Sequence, residues 1–443
     1  MKLEELRNSE GKPLVSYGAG KKILILGFGR EGIDTFLFLR KIFPDKIFGI
    51  ADKSEKIKKP DKKTVLYLGK NYLEAVKKYD LVIKSPGIPI HLPEIEKAFK
   101  QGKITSQTEI FFSTIDGPSE ALCKGGDNCP GEIVGITGTK GKSTTTALIY
   151  NILKEGGKKA FLVGNIGKPV LSLLPSASSK DIYVYELSSH QLYNLNKSPH
   201  IAVFLNVFPE HLDYYKNIKE YSQAKANITL CQGKNDYLVY NSGDKTVSSF
   251  ANKSKAIKIP IKGKYYELDK TAARKVGEIF GISKTKIEKA IKNFKPLPHR
   301  LELVGKFKGI TFYNDALSTI PETAIFALDY LGKNVETILL GGFDRNIDFK
   351  NLAKRIVKSN LKNLILFPTT GEKIWKEVAL LSKNKFRPFF VGNMEDAVKL
   401  AYKHTRTGKI CLLSCASTSF SIFKDYEEKG NLFKKYVKKL GKK

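Results

Sequence analysis

Short apolar segments of strand length alternate with helical patterns along the whole chain of 443 residues. Such alternation is typical of α/β units, in which helices connect the strands of parallel sheets. We therefore predict an α/β fold with parallel sheets. The predicted strands are residues 22–26, 47–51, 65–68, 81–84, 132–136, 182–185, 201–205, 236–240, 310–313, 337–340, 363–367 and 410–414.

The length of the chain suggests about three domains of ordinary size. A polar, glycine-rich stretch at residues 116–131 is typical of a linker. A second break lies at residues 296–298, where Pro-Leu-Pro follows the helix predicted for residues 284–293. These two breaks predict domains at residues 1–116, 117–296 and 297–443.

The composition is strongly basic, since 76 Lys and Arg residues against 44 Asp and Glu residues give a net charge of +32. Such a balance favours anionic partners, namely nucleic acid, a membrane surface or phosphorylated ligands. The alternative is a lysine enrichment spread over the whole surface. We favour this alternative and expect no nucleic-acid partner, because the lysines are scattered and no stripe of arginines and aromatic residues is present. The basic tail at residues 434–439 is interpreted as the solvated face of a last helix.

No apolar stretch reaches the roughly 18 residues of a membrane-spanning helix, and the first residues, MKLEELRNSEGK, lack the apolar core of a secretory signal. Five cysteines are too few for a disulfide scaffold. We therefore expect a cytoplasmic protein without membrane insertion. Cys123 and Cys129 lie in the glycine-rich linker without a second pair, so we interpret them as incidental rather than as metal ligands.

Residues 135–144, GITGTKGKST, follow a predicted strand and precede a helical pattern. In this context glycines let backbone N–H groups turn toward phosphate oxygens, and the helix N-terminus adds its dipole. We favour a nucleotide-binding loop over a plain glycine turn, with Lys142 reaching the β- and γ-phosphates and Ser143 offering its hydroxyl to magnesium. The predicted phosphate-binding residues are Gly138, Thr139, Lys140, Gly141, Lys142, Ser143 and Thr144.

Polar residues follow two further strands of the same predicted sheet. Glu186 ends one strand, and Asn206 ends another, with His211 five residues later. Because the carboxyl ends of parallel strands face one crevice, we expect these side chains near the glycine loop. Magnesium prefers oxygen ligands, so Glu186 is the expected ligand. A lone histidine is often structural, but the place of His211 beside the glycine loop favours a role in the site.

A second glycine motif, GFGREG at residues 27–32, follows the first predicted strand, and Asp52 lies about 20 residues further on. This pattern predicts a Rossmann-like domain that holds a nucleotide or a nucleotide-sugar phosphate. Redox chemistry is disfavoured because an ATP-type loop lies downstream. The turn Ser85-Pro86-Gly87 closes another strand, either as a binding loop or only as a tight turn.

The last third of the chain has polar segments after three predicted strands: Asn314-Asp315, residues 341–345 and residues 414–420. They are expected at one edge of a sheet, where ligands bind. Arg300 and Arg345 are candidates to clamp a phosphate or a carboxylate, although each is equally compatible with a surface ion pair.

Eight segments, in this order and over nearly the whole chain, resemble the Mur ligase family. They are GITGTKGKST, VGNIG, ELSSHQL, LNVFPEHLDYY, YSQAK, LPHR, YND and the serine-rich loop near the C-terminus. Within the family the chain most resembles the ligases that add D-glutamate, because Ser143 stands where other members usually carry Thr, and residues 341–349 and 419–426 are similar to that branch. The N-terminal Rossmann-like domain argues against a folylpolyglutamate synthase.

The resemblance implies three α/β domains: an N-terminal Rossmann-like domain for UDP, a central P-loop ATPase-type domain with a parallel sheet, and a C-terminal Rossmann-like domain for the amino acid. It implies that ATP and Mg²⁺ activate the carboxylate of UDP-N-acetylmuramoyl-L-alanine as an acyl phosphate, which the amine of D-glutamate then attacks. The implied protein is a monomeric, cytoplasmic enzyme of peptidoglycan precursor synthesis.

The resemblance also assigns roles to residues. The implied catalytic residues are Lys142, Glu186, His211 and Lys225, the last matching a lysine that becomes carbamoylated in the family. The implied magnesium ligands are Ser143, Glu186, His211 and carbamoylated Lys225. Arg300 and Asp315 are implied to meet ATP. The residues implied for the UDP-linked substrate are Gly29, Arg30, Glu31, Gly32, Asp52, Ser85, Pro86, Gly87, Asn165 and Ser188. Those implied for the amino acid are Thr319, Arg345, Ser419 and Tyr426.

Some positions depart from the family pattern. Leu317 and Arg345 stand where many members carry lysine, Ser421 replaces a frequent acidic residue, and Tyr266 and Asp269 replace a pair of asparagines that contact adenine. These departures bear on the acceptor amino acid more than on the ATP chemistry. Two alternatives stay open: a Mur-type ligase with another acceptor, and a P-loop ATPase stimulated by nucleic acid, for which no helicase or RNA-binding signature is present.

Overall fold

The computed structural model describes residues 20–115, 131–211, 214–263, 266–295, 297–345, 347–382 and 385–442. These residues form an α/β fold with three sheets, which confirms the predicted fold class. The chain divides after Phe294 into two compact units, of which the first holds two sheets and the second holds one. The domain limits proposed at residues 116–117 and 296–297 stay predictions, because residues 116–130 and 296 lie outside the described ranges.

The first sheet is entirely parallel among the described residues, with the strand order β3-β2-β1-β4-β5. Its strands are β1 (Ile23–Leu26), β2 (Phe48–Asp52), β3 (Thr64–Leu68), β4 (Leu81–Lys84) and β5 (Ile104–Thr105). Its helices are α1 (Arg30–Ile42), α2 (Pro93–Lys100) and the 3-10 helix Tyr72–Lys78. Because β1 and β4 are neighbours, the loops that follow them lie side by side at the carboxyl edge of the sheet.

Helix α3 (Gln107–Ile115) joins the first sheet to the second. Every residue of this helix except Glu109 is buried. The ring centroid of Phe111 lies 5.0 Å from that of Tyr183, on the central sheet. Burial of a side chain of this size contributes roughly 1.5–3 kcal/mol. The helix therefore holds the two sheets together in one unit.

The central sheet is also parallel throughout the residues described, with the order β11-β10-β9-β6-β8-β7. Its strands are β6 (Glu132–Thr137), β7 (Lys159–Gly164), β8 (Asp181–Glu186), β9 (Ile201–Phe204), β10 (Tyr237–Asn241) and β11 (Ile257–Ile261). Since β6 lies between β8 and β9, the residues that follow these three strands meet at one edge of the sheet.

Helices cover both faces of the central sheet. They are α4 (Lys142–Glu155), α5 (Ser189–Leu192), α6 (Ile218–Leu230), α7 (Lys245–Ala251), α8 (Tyr266–Ile279), α9 (Lys284–Lys292) and the 3-10 helix Leu171–Ser176. On one face, apolar residues of α4, α8 and α9 pack on the sheet in a single cluster. Helices α6 and α7 contribute to a cluster that continues into the first sheet.

The sheet of the second unit has the order β12-β13-β17-β14-β15-β16. Its strands are β12 (Glu302–Phe307), β13 (Ile310–Asn314), β14 (Val335–Gly341), β15 (Asn363–Phe367), β16 (Arg387–Phe390) and β17 (Ile410–Leu413). Strand β12 runs antiparallel to β13, which corrects the expectation of parallel sheets only. The reason is the two-residue connection through Lys308 and Gly309, which is long enough only to reverse the chain.

Two layers of helices enclose this sheet. They are α10 (Pro321–Leu331), α11 (Lys350–Val357), α12 (Thr370–Ser382), α13 (Met394–His404), α14 (Tyr426–Gly441) and the 3-10 helix Gly332–Asn334. Helices α10, α11 and α12 pack on one face, and α13 and α14 pack on the other. Among the helices of the described residues, none combines the length and apolar character needed to cross a membrane.

Gly32, in the first glycine motif, provides a test of the close packing between helix α1 and the loop that follows β1. A Cβ atom at Gly32 would lie 2.0 Å from the carbonyl oxygen of Gly27, whereas one at the exposed Gly29 would meet nothing within 4 Å. We expect Gly32→Ala to lower the free energy of unfolding by about 3 kcal/mol, because backbone must move to admit the methyl group. Thermal and denaturant unfolding measure the effect. Gly29→Ala is the matched control, and equal stability of the two variants would contradict the prediction.

Candidate active site

The predicted nucleotide-binding loop connects β6 to α4. Gly141 precedes the helix with a φ of +86°, a conformation that side chains with a Cβ rarely adopt. A Cβ atom at this position would also lie 2.4 Å from a carboxylate oxygen of Asp269, on α8. The sequence therefore needs glycine here, and the backbone that follows presents the N-terminus of α4 to the carboxyl edge of the sheet.

Asn206, two residues after the end of β9, holds the middle of this loop. Its side-chain oxygen accepts from the backbone N–H of Lys140 at 2.8 Å, and its side-chain nitrogen donates to the Lys140 carbonyl at 3.0 Å. The Lys140 ammonium pairs with Glu210 at 2.8 Å. Burial opposes ionisation of Glu210, but Lys140, His211 and Lys142 lower its pKa to about 2. The loop is thus held rigidly by neighbours that follow another strand.

Two lysines converge on one carbonyl of the loop. The ammonium of Lys142 donates to Gly138 at 2.9 Å and to Thr139 at 3.0 Å. The amine of Lys225, on α6, donates to the same Gly138 oxygen at 2.9 Å. Only 1% of Lys225 is exposed, and burial, followed by the charge of Lys142, holds its pKa well below the usual range. A neutral amine is therefore favoured at Lys225.

Ser143 and Thr144 are the second and third residues of helix α4. Ser143 is buried and Thr144 is half-buried. Thr139, earlier in the loop, exchanges a hydrogen bond with the hydroxyl of Tyr221 at 3.0 Å. The predicted phosphate-binding residues thus lie together at one edge of the central sheet.

Glu186 is the last residue of β8 and is almost fully buried. One carboxylate oxygen accepts from the side chain of Asn165 at 2.9 Å. Its other oxygen is buried and has no hydrogen-bond partner among the described residues. An orphaned carboxylate oxygen is costly unless something occupies the place beside it. Glu186 therefore has the chemistry that a cation ligand requires, and its role as a magnesium ligand stays a prediction.

His211 lies on the segment after β9, with a φ of +58°. Burial lowers the pKa of its imidazole, with smaller contributions from Lys225 and Lys142 and an opposing one from Glu210. The neutral imidazole that results retains a lone pair for a ligand. Leu212 and Asp213, which belong to the same sequence motif, lie outside the described residues.

The residues predicted to hold UDP lie at the carboxyl edge of the first sheet. Gly29 caps α1, and Arg30 donates from its guanidinium to the carbonyls of Gly164, Asn165 and Gly167, on the central sheet. Glu31 accepts from Gln191 at 2.8 Å, and burial raises the pKa of Glu31. The side chains of Arg30 and Glu31 thus join the two sheets of the first unit.

Other predicted substrate residues support the loops themselves. Asp52 accepts from the backbone N–H groups of Phe28 at 2.7 Å and Ser54 at 2.8 Å. Ser85 donates from its hydroxyl to the carbonyl of Gly27 at 2.9 Å. Ser188 caps helix α5, where its side chain and that of Gln191 form a reciprocal capping box. These contacts shape the glycine loops, a function that the motif alone does not indicate.

In the second unit, Asp315 follows β13. It accepts from the Ser414 hydroxyl at 2.8 Å and from the Leu301 N–H at 3.2 Å. Arg300 is half-buried and acts electrostatically on Tyr426, the first residue of α14. Because Ser414 follows β17, a neighbour of β13, these groups share one edge of the sheet.

The residues predicted for the amino acid lie at the same edge. The N–H of Phe343 donates to the Thr418 carbonyl, which joins the segment of exposed Arg345 to the serine-rich loop of Ser419. Thr319 is half-buried between β13 and α10.

Buried polar atoms of this region have no hydrogen-bond partner among the described residues: the hydroxyls of Thr418, Ser419 and Ser421. Lys429 is also buried here, beside the thiol of Cys415. Sequence reasoning missed Lys429, because a lysine among the many in this chain gives no sign that it is buried.

The cysteines contribute no site within the described ranges. Cys231, Cys411 and Cys415 are free thiols, the last two buried. Cys123 and Cys129, interpreted from the sequence as incidental, lie outside the described residues.

Comparisons with known proteins identify relatives of this chain. Two family models match: the Mur ligase middle domain over residues 136–310, and the N-terminal domain of MurD-like Mur ligases over residues 21–105. A UDP-N-acetylmuramoylalanine–D-glutamate ligase from Acetivibrio thermocellus is 33% identical over 95% of this chain and 97% of its own length. A protein of the same name from Clostridium acetobutylicum is 32% identical over 96% of this chain and 98% of its own.

A solved structure shares the fold. The crystal structure of MurF ligase from Thermotoga maritima in complex with ADP covers 99% of this chain and 100% of its own, with 16% identity and a TM-score of 0.56. The sequence relationships extend over nearly the whole length of both chains. The chain therefore belongs to the Mur ligase family, and it is an enzyme of the ligase class.

Proposed function

We propose that this ligase uses ATP to join D-glutamate to UDP-N-acetylmuramoyl-L-alanine, a step of peptidoglycan precursor synthesis. The observation that carries the proposal is the grouping of Lys142, Lys225 and Glu186 around the β6–α4 loop. Relatives named UDP-N-acetylmuramoylalanine–D-glutamate ligase match this chain over nearly its whole length. We place the reaction in the cytoplasm and assign it to a monomer.

The β6–α4 loop is the proposed ATP site. Backbone N–H groups at the start of α4 would bind phosphate oxygens, and Lys142 would neutralise the charge that develops on the γ-phosphoryl group. ADP in the complex of the Thermotoga maritima ligase supports the use of a nucleotide by this fold. Arg300 and Asp315 of the second unit are proposed to meet ATP as well.

Magnesium fits the donor atoms of this site. Within the described residues no three His, Cys, Asp or Glu side chains form a metal site by themselves. Magnesium commonly completes its coordination shell with phosphate oxygens and waters, so a site with few side-chain ligands suits it. The Ser143 hydroxyl is a proposed ligand of one ion. The orphaned oxygen of Glu186, together with His211 and carbamoylated Lys225, is proposed to hold a second ion. When bound, magnesium supplies positive charge to the phosphate oxygens.

The proposed chemistry has two steps. The carboxylate of the UDP-linked substrate attacks the γ-phosphorus, and the bond from that phosphorus to the bridging oxygen breaks, which gives an acyl phosphate and ADP. The amine of D-glutamate then attacks the acyl carbon, loses a proton and expels inorganic phosphate. The chain's own contribution is to position the reactants and to stabilise negative charge.

The first sheet is proposed to hold UDP at Gly29, Gly32 and the loop from Ser85 to Gly87, and Asn165 and Ser188 are proposed to face the muramoyl-alanine portion. Thr319, Arg345, Ser419 and Tyr426 are proposed to surround D-glutamate. Arg345 supplies a permanent positive charge, which suits an acceptor with two carboxylates.

Phosphate release tests the proposal. The purified chain is mixed with ATP, magnesium and UDP-N-acetylmuramoyl-L-alanine, together with D-glutamate, L-glutamate, D-isoglutamine, L-lysine or no amino acid. We expect turnover only with D-glutamate. Turnover with a different amino acid would keep the chemistry and replace the acceptor, and absence of turnover with all of them, alongside intact ATP binding, would contradict the proposed UDP-linked substrate.

A further inference from the structure

The loop formed by residues 85–88, which follows β4, is held from two sides through its carbonyl oxygens. The ammonium of Lys84 donates to Ser85 at 3.1 Å and to Ile88 at 2.9 Å. The hydroxyl of Tyr214 lies 3.2 Å from the Pro86 carbonyl and 3.0 Å from that of Ile88. Donors of the protein thus occupy three of the four carbonyls of this loop.

The opposite side of the loop is open. A Cβ atom at Gly87 would meet nothing within 4 Å. The N–H of Ser85 donates to the Leu26 carbonyl and that of Ile88 to the Ser85 carbonyl, and Pro86 has no N–H. The loop can therefore present the N–H of Gly87 to a phosphate oxygen, and the position of that group depends on Lys84 and Tyr214.

Tyr214 lies on the segment between β9 and α6 and links this loop to His211. Its backbone N–H donates to the His211 carbonyl at 3.0 Å. Its ring packs edge-on against His190 with the centroids 4.2 Å apart, and the ring of His190 lies 4.8 Å from that of His211. One side chain therefore contacts both the 85–88 loop and the segment that carries the proposed catalytic histidine.

Lys84 supports the loop from within the first sheet. It is the last residue of β4 and is buried. Burial lowers the pKa of Lys84 to about 8, against the opposing charge of Glu31 on α1. His190, on α5, interacts electrostatically with Lys84. Burial, followed by the effects of His211 and Lys225, lowers the pKa of His190 to about 3. His190 is therefore neutral over the range in which Lys84 titrates.

We propose that Tyr214 and Lys84 are positioning residues, which shape the 85–88 loop for a diphosphate-bearing substrate and fix its place relative to His211. The inference rests on the proposed function for the identity of the substrate. Neither residue is among those that the family resemblance assigns to the substrate. Both are expected to act on the KM of the UDP-linked substrate and on the affinity for UDP, and not on the KM for ATP.

Tyr214→Phe removes only the hydroxyl and keeps the ring against His190. We expect the KM for UDP-N-acetylmuramoyl-L-alanine and the Kd for UDP to rise about tenfold, because the Pro86 carbonyl loses the Tyr214 donor and the Ile88 carbonyl keeps Lys84 alone of the two. The KM for ATP and kcat should stay within about twofold of the wild type. Tyr237→Phe is the matched control, since it removes a tyrosine hydroxyl at the opposite, amino end of the central sheet, where the ring packs on His200.

The pH profile tests Lys84. An ammonium with a pKa of about 8 loses its donor capacity as the pH rises through that value, so the wild-type KM for the UDP-linked substrate should rise above about pH 8. Lys84→Met should show a high KM for the UDP-linked substrate at every pH, without this alkaline rise. Lys84→Arg keeps its charge, so the KM should stay low and the alkaline rise should disappear. Glu31→Gln should move the alkaline rise in KM to lower pH, since Glu31 raises the pKa of Lys84.

The outcomes separate this inference from the proposed function. If the wild type turns over and Tyr214→Phe behaves like Tyr237→Phe, the inference is wrong and the proposed function stands. A loss confined to kcat would also overturn it, because Tyr214 would then act on His211 alone. If the wild type neither turns over the UDP-linked substrate nor binds UDP, the proposed function fails and the inference fails with it. Binding of UDP that Tyr214→Phe weakens, without turnover, would support the loop's role and contradict only the proposed substrate.

Discussion

Replacement of Lys142 by alanine is expected to lower kcat/KM for ATP by about 10³-fold. Lys142 begins helix α4, and its ammonium lies within the β6–α4 loop, 2.9 Å from the Gly138 oxygen. The second lysine at that oxygen, Lys225, has a pKa well below its usual range, so its amine is favoured in the neutral form and does not replace an ammonium at this carbonyl. Initial rates of phosphate release over a range of ATP concentrations measure the loss.

The control for Lys142→Ala is Lys154→Ala, which removes an exposed lysine from the last turn of the same helix. Thermal unfolding of both variants shows whether the fold is retained. Because neither change removes a buried contact with the apolar core, we expect melting temperatures close to that of the wild type. Equal activity of the two variants would show that the loop does not bind the reacting phosphate.

The sequence predicts the central strands of each sheet well, because these strands are buried on both faces and appear as continuous apolar segments. Asn363–Phe367 and Leu81–Lys84 have the predicted bounds. The missed strands lie mostly at sheet edges. Ile257–Ile261 alternates with lysine and contains Pro260, which only an edge strand tolerates easily, and Arg387–Phe390 is largely exposed.

The antiparallel strand β12 was also beyond the prediction. Its sequence, ELVGKF, contains a charged residue, a glycine and a lysine among its apolar positions, and it pairs on one side only. Its direction depends on the turn at Lys308 and Gly309, where both residues have a positive φ. A lysine in this conformation is not a signal that sequence patterns reveal.

For the candidate site, motifs predict which residues gather at the carboxyl edges of the sheets, because strand order brings strand ends together. Glu186 and Asn206 flank the β6–α4 loop for this reason. Motifs do not show what the side chains contact. Arg30 carries a predicted substrate role, yet its guanidinium binds carbonyls more than 130 residues away. Such pairings arise from packing between sheets, which no local pattern contains.

The burial of Lys225 suits the carbamoylation that the family resemblance implies for it. Carbon dioxide reacts with a neutral amine, and ordinary lysines are protonated near neutral pH. Burial and the charge of Lys142 hold the pKa of Lys225 well below that range. The neutral form therefore becomes available at lower pH than for an exposed lysine. The proposed carbamate would also place a negative charge beside Lys142, an attraction that the neutral amine does not supply.

We expect Lys225→Met and Lys225→Arg to lower kcat by about 10³-fold or more, because neither side chain can form a carbamate that supports a metal ion. Lys219→Met, an exposed lysine on the same helix, is the control and should keep wild-type activity. Removal of carbon dioxide and bicarbonate should lower the wild-type rate, and their return should restore it. Full activity of Lys225→Arg would show that only a positive charge is needed at this position. If both variants are inactive but the wild-type rate does not respond to bicarbonate, the role of Lys225 is to support the Gly138 carbonyl instead. The geometry favours the carbamate, since a permanent cation at Lys225 would compete with Lys142 for the same oxygen.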